Sequence, residues 1–206
     1  MKKILLSFLM FVSFYSASAQ ISLMLYNFRP TGEFGYVMKP AYSAELGYAN
    51  GIDEADPIRS SFSITYLSFT PRLDTFPTTG YYYSGSTGSM VVQGYQCYQK
   101  YNLLLLYCGM DWPFIKKDPF FVYVGLDITA GFSEIEYTSY MELISDESYS
   151  GGSILAGFRG RLGVEYKLSK SLGLFANLER MGWLNAEPKS TNAGNTYGIG
   201  IHLNFN

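Results

Sequence analysis

Residues 195–206 read NTYGIGIHLNFN, and they hold a strict two-residue period. Tyr197, Ile199, Ile201, Leu203 and Phe205 take the odd positions. Thr196, Gly198, Gly200, His202 and Asn204 take the even ones. Successive side chains of a strand point to opposite faces, so this pattern predicts a β-strand with one apolar and one small or polar face.

The same period recurs upstream and predicts seven more strands, at about 21–29, 39–49, 59–70, 91–110, 120–134, 153–168 and 171–183. Val122, Val124, Leu126, Ile128, Ala130 and Phe132 share one face of the 120–134 segment. Tyr123, Gly125, Asp127, Thr129 and Gly131 share the other. The expected connections are a turn at 30–33, a polar stretch at 50–57 and a tight connection at 112–119. A short turn follows at 169–170, and longer loops are expected at 71–90, 135–152 and 184–194. Short and long connections alternate, as in bacterial outer-membrane barrels with short periplasmic turns and longer outside loops.

The start of the chain reads as an export signal. Lys2 and Lys3 precede an apolar run to Tyr15, and Ala17-Ser18-Ala19 fits the small-residue cleavage pattern. Cleavage is expected before Gln20, so 1–19 would be a signal peptide and 20–206 a single barrel domain. The run is shorter than the roughly 20 apolar residues of a spanning helix. Without Lys2 and Lys3 the chain carries 13 basic against 17 acidic residues and no basic run, which speaks against a nucleic-acid partner.

A soluble sheet hides its apolar face in a core, whereas a membrane barrel turns that face to lipid and fills its lumen with the other. Three features favour the barrel. The non-apolar faces carry glycines and charges of both signs: Glu45, Asp127, Glu165 and Glu179 against Arg59, Arg159 and Arg161. In so narrow a lumen these must pair, with Gly198 and Gly200 leaving room for charged neighbours. Trp112, Trp183, Tyr48, Tyr81 and Tyr137 fall near strand ends, where interfacial girdles are expected. The last strand ends the chain and would close the barrel, removing an edge that lipid does not tolerate.

The fold expected is therefore all-β: a closed, antiparallel, up-and-down transmembrane barrel of eight strands with both termini periplasmic. The signal ending Ala17-Ser18-Ala19-Gln20, the eight alternating segments and the Tyr197/Ile199/Ile201/Leu203/Phe205 series resemble the small OmpA-like outer-membrane barrels common in the Bacteroidota. The resemblance implies that this closing series is read by the barrel-assembly machinery, and that outer-membrane lipid surrounds the wall.

Chemistry is sparse in the sequence. Cys97 and Cys108, eleven residues apart in one expected strand, would sit about 36 Å apart on opposite faces, beyond the roughly 7 Å reach of a disulfide, so two free thiols are expected. His202 is the only histidine. It reads as lumen filling or, alternatively, as the base of a lipid-modifying enzyme. No zinc-ligand spacing or phosphate loop occurs, Gly85-Ser86-Thr87-Gly88 lacks the strand–turn–helix setting of a nucleophile elbow, and no cofactor is expected. Tyr81-Tyr82-Tyr83 could stack on a sugar or a partner protein, or mark the outer girdle. The acidic set Glu134, Glu136, Glu142, Asp146 and Glu147 reads as a solvated loop or as a site for a cation or cationic partner. A non-enzymatic barrel is expected, with a structural or interaction role through its outside loops or within a larger envelope complex. A lipid-modifying enzyme or a narrow pore is the alternative.

Overall fold

The computed structural model describes residues 19–50, 58–84, 88–141, 144–185 and 190–205. The expected signal segment before Ala19, the stretch 51–57, Gly85-Ser86-Thr87, Glu142 and Asn206 lie outside them. The elements are β1 Ala19–Thr31, α1 Gly32–Val37, β2 Ala41–Asn50, β3 Arg59–Phe69, β4 Phe76–Ser84, β5 Gly88–Lys117, β6 Phe120–Met141, β7 Ile144–Lys167, β8 Leu172–Asn185 and β9 Ser190–Phe205.

The strands pair in the order β3-β2-β1-β9-β8-β7-β6-β5-β4, and a β3–β5 pairing closes the ring. Eight strands form that ring. β4 stands outside it, paired with the far part of β5 alone. The seam is β1–β9, registered from Ala19↔Phe205 to Thr31↔Ala193.

The registers fix the geometry. One way round the ring, Glu45 leads through Met24, Gly200, Phe175 and Glu165 to Phe121. The other way it leads through Thr65 and Leu105 to Gly131, ten residues further along β6. At about 3.3 Å per residue and 4.8 Å between strands, that shear in an eight-stranded ring gives a tilt of about 40° and a radius of about 8 Å. Each residue then climbs about 2.5 Å along the barrel axis, and each ladder step from β6 round to β2 climbs about 3 Å.

The outer wall is apolar. Leu126, Ile128 and Phe132 on β6, Ile154, Phe158 and Leu162 on β7, and Ile199, Ile201 and Leu203 on β9 all point outward and are exposed. From Phe120 near the terminal rim to Phe132 near the distal rim this band is about 30 Å tall, the thickness of a hydrocarbon core. Polar and charged side chains are turned inward, where Thr129, Asp127, Arg159 and Glu165 are almost wholly buried. A water-soluble barrel would need the opposite arrangement.

Several boundaries differ from the sequence expectation. β5 runs on through Trp112-Pro113 to Lys117, and the tight turn sits at 118–119. Residues 135–152, expected as a loop, continue the β6–β7 ladder out to Met141↔Ile144. Residues 71–90 hold β4 and the start of β5. Beyond the apolar band both faces of a strand are solvated, so the hydrophobic alternation vanishes while the backbone ladder persists. The polar turn expected at 30–33 becomes the entry to α1, with Gly32 in the left-handed region (φ 62°).

Candidate functional site: a filled interior and a projecting sheet

The interior has two unlike halves. The half near the termini is an ion-pair network. Arg159, 1% exposed, donates from Nε to Asp127 at 2.6 Å and from Nη1 to Glu45 at 2.6 Å and Glu179 at 3.4 Å. Its guanidinium lies 3.5 Å from the centre of the Tyr107 ring. Arg59 donates to Asp111 at 3.0 Å, Glu165 at 2.8 Å and Gln20 at 3.1 Å, over the face of Tyr123. Arg161 links the two groups, its Nη2 lying 2.7 Å from Asp127 and 2.9 Å from Asp111.

All seven charges read from the sequence, Glu45, Arg59, Asp127, Arg159, Arg161, Glu165 and Glu179, thus meet in one cluster. Buried charge is costly unless paired and hydrogen-bonded, and each guanidinium here has at least two carboxylate partners. Asp111 joins them from one residue past the strand end expected at 110. The alternation Met110 out, Asp111 in, Trp112 out carries the signal.

His202 is 2% exposed, 3.2 Å from Glu165 Oε1 and stacked on Phe175 at 6.1 Å. Gly173 supplies the space, since a Cβ there would collide with the imidazole. Gly198 and Gly200 serve a different purpose from the one expected. Side chains there would strike Met24 and Phe175 respectively, so these glycines admit apolar neighbours rather than charges.

The distal half of the interior is aromatic. α1 folds over the mouth and drives Phe34 into it, within 5.1 Å of Phe69, 5.2 Å of Tyr101 and 5.6 Å of Trp183 between ring centres. Phe28, Met38, Leu67, Leu103, Leu105 and Leu155 are among the other members of the cluster. The helix is tied to the end of β3, where Arg72 donates its backbone N–H to Val37 O and its Nε to Met38 O. Trp183, expected in a girdle, is only 1% exposed and belongs to this plug. An aromatic residue near a strand end fits either face; the register puts Trp183 inside and Trp112, 39% exposed, outside.

Among the described residues the two halves leave little room. The charged half retains a void of about 50 Å³, on the scale of one or two waters, and a shallow cavity of about 190 Å³ remains at the mouth beside Phe34 and Tyr98.

Beyond the distal rim, β4, β5, β6 and β7 continue as a four-stranded sheet. Tyr95 stacks on Tyr140 at 4.9 Å and Tyr137 on Tyr149 at 5.2 Å, while Tyr98 packs between Phe76 and Tyr137. Tyr81, Tyr82 and Tyr83 lie on β4, opposite Val91, Met90 and Ser89. That is about 40 Å of strand beyond Leu104 at the top of the apolar band, which removes them from any girdle. Tyr81 is exposed.

The acidic set is dispersed along this sheet. Glu134 and Glu136 flank Lys100 of β5, at 2.8 and 3.9 Å, while Asp146 and Glu147 are exposed on β7. Hydrogen bonds from Lys100 and then Asn102 hold the Glu134 carboxyl below its ordinary range. Among the described residues no three His, Cys, Asp or Glu side chains gather as a metal site.

Both cysteines are free and lie on β5. A bulge between Tyr98 and Lys100 inserts one residue, so Cys97 faces Thr138 and Cys108 faces Ile128. These partners have the same parity on β6. The two thiols therefore share the outward face rather than taking opposite ones, and still stand about 33 Å apart.

No protein family matches the chain, and no curated protein matches its sequence. Solved structures do. The chain is similar to Neisserial surface protein A (14% identity, TM-score 0.55, covering 92% of this chain and 100% of that one). It is also similar to Ail, the attachment invasion locus protein of Yersinia pestis (13% identity, TM-score 0.52, covering 91% and 98%). A second structure of Ail, in complex with the heparin analogue sucrose octasulfate, matches at 12% identity and a TM-score of 0.50, covering 91% and 98%. These likenesses show the fold, an eight-stranded barrel of the outer-membrane type.

Proposed function

We propose that this protein is a non-enzymatic outer-membrane barrel that holds a rigid, tyrosine-rich sheet away from the membrane for a partner outside the cell. The observation that carries this reading is the four-stranded extension of β4 to β7, stiffened by stacked rings while the barrel below it is filled. Both termini then lie at the periplasmic rim, and the signal segment is removed on export. Tyr197, Ile199, Ile201, Leu203 and Phe205 line the outer wall at the seam, accessible to the barrel-assembly machinery.

The filled interior speaks against a pore. His202 sits deep among Glu165 and Phe175 at the terminal end, away from an outer-leaflet substrate, which speaks against lipid hydrolysis. The described part of the sheet carries Glu134, Glu136, Asp146 and Glu147, and Lys100 is bound by two of them. Its charge suits a neutral or cationic protein surface, including that of a larger envelope complex. It does not suit a polyanion of the kind bound to Ail.

A photo-crosslinking residue at Tyr81 or Tyr95 tests this in intact outer membrane. One defined adduct is expected from the sheet, lost when the adjoining tyrosines are replaced by Ser. Release of fatty acid by purified protein, or steady conductance in a planar bilayer, would overturn the reading.

A further inference from the structure

The apolar wall is interrupted at one place. Arg29, Asn195 and Arg180 lie side by side on β1, β9 and β8, all facing outward. By the barrel geometry Arg180 stands about 19 Å and Arg29 about 25 Å above Phe121 along the axis. At that level Ile128, Phe158, Leu106 and Tyr66 line the rest of the wall, and the apolar band continues above it to Ile154 and Phe132. The two arginines therefore sit inside the upper part of the band.

Neither has an ion-pair partner among the described residues. Arg180 donates from Nη1 to Asn195 Oδ1 at 2.9 Å. Arg29 donates from Nε to Asn27 Oδ1 at 3.0 Å and lies over the Tyr197 ring at 5.4 Å. These neutral contacts aim both guanidinium groups and leave most of their donors without a partner among the described residues. An uncompensated outward Arg costs about 2–4 kcal/mol at mid-membrane, falling to about 0–1 near the interface. Arg29 is within snorkelling reach of the distal rim, whereas Arg180, about 9 Å below the level of Phe132, can snorkel only part of the way out.

Directly below lies an apolar groove. A hollow of about 900 Å³ is lined by Leu25, Leu162, Leu178, Tyr197 and Ile199, with Asn27 at its upper end. A second, of about 590 Å³, shares Leu25, Val164, Ala176 and Ile199 with it and continues toward the terminal rim. Ala176, small among branched neighbours, forms the common floor. The groove starts at the residues that hold Arg29.

We infer that this wall binds one lipid of the outer leaflet whose phosphate headgroup carries net negative charge. Its phosphate lies between Arg29 and Arg180, whose planar forks match phosphate oxygens, and an acyl chain lies along the groove. The charge complement selects this occupant, because a zwitterionic headgroup brings its own cation and leaves the charge of two arginines uncompensated in the wall. The inference rests on the membrane placement proposed above.

The test uses the full mature barrel folded in mixed micelles of phosphatidic acid and phosphatidylcholine, with retained lipid counted by native mass spectrometry. The wild type is expected to keep one phosphatidic acid in preference to phosphatidylcholine by about tenfold or more, the scale of a charge-assisted contact. Arg29→Gln/Arg180→Gln is expected to lose that preference while remaining folded. Ala176→Trp, which fills the groove floor, should lower retention of both lipids. Equal retention by wild type and the double Gln variant would overturn the inference while leaving the barrel reading intact. A lipid-free dimer with Arg29 and Arg180 at its interface would also overturn it. Mature protein that stays dispersed in water without detergent would instead overturn the membrane placement itself.

Discussion

The two halves of the interior are built from the same eight strands yet solve different problems. Near the termini, charges are held by charges: Arg159 alone meets Asp127, Glu45 and Glu179. Near the distal rim, rings are held by rings, with Phe34 among Phe69, Tyr101 and Trp183. The charged half is rigid because each removal strands an opposite charge. The aromatic half depends on a six-residue helix that belongs to no ring strand. The first should therefore fail as a whole, and the second should fail locally.

Replacing Arg159 by Ala is the most damaging single change expected. It leaves Asp127, Glu45 and Glu179 buried around a missing cation, at a cost of about 3–5 kcal/mol. Urea unfolding of the barrel in vesicles should show its midpoint falling sharply, or folding lost. An unchanged midpoint would break the contrast between the halves. Phe34→Ala comes next, at about 3 kcal/mol for the lost ring. Because α1 is a lid, the expected loss appears mainly as faster hydrogen exchange at the mouth, with the ring strands near the termini still protected.

In the projecting sheet, Tyr137→Ala breaks the contacts with Tyr98 and Tyr149 and should cost about 1 kcal/mol. The loss would be read as faster protease cleavage of the β6–β7 hairpin with the barrel intact. Glu134→Gln is the mildest. Its carboxyl, beyond the apolar band, is held below the ordinary range by Lys100 and then Asn102, so its contribution is present above that range and fades as pH falls through the lowered value. The pair is exposed, so the expected change is a slight loss of stability at neutral pH that disappears at low pH, which flattens the acid limb of the pH–stability curve.

The charged half was legible because Asp127, Arg159, Arg161, Glu165 and Glu179 contrast with apolar residues on either side. Alternation is visible only where the faces differ. In Leu103-Leu104-Leu105-Leu106 both faces are apolar, and nothing in the string separates the interior Leu103 and Leu105 from the outward Leu104 and Leu106. The aromatic plug was hidden for that reason, and α1 because a polar Pro-Thr-Gly-Glu stretch reads as a turn. The projecting sheet was hidden for the opposite reason, both of its faces being wet. Arg29 and Arg180 fall where the outward face turns polar, beside Asn27 and Asn195, which reads as a strand end, so their place inside the band emerges only from the shear.

Trp112 and Trp183 test the central claim, that this barrel turns its apolar wall to lipid and keeps a packed interior. They are the only two tryptophans, one on each side of the wall. The measurement is fluorescence quenching by lipids brominated near the headgroup, on Trp112→Phe and Trp183→Phe variants in vesicles. Trp112, alone in the second variant, should be quenched strongly. Trp183, alone in the first, should be quenched little by bromolipid or by aqueous iodide. Strong bromolipid quenching of Trp183, or a Trp112 that responds only to iodide, would contradict the account.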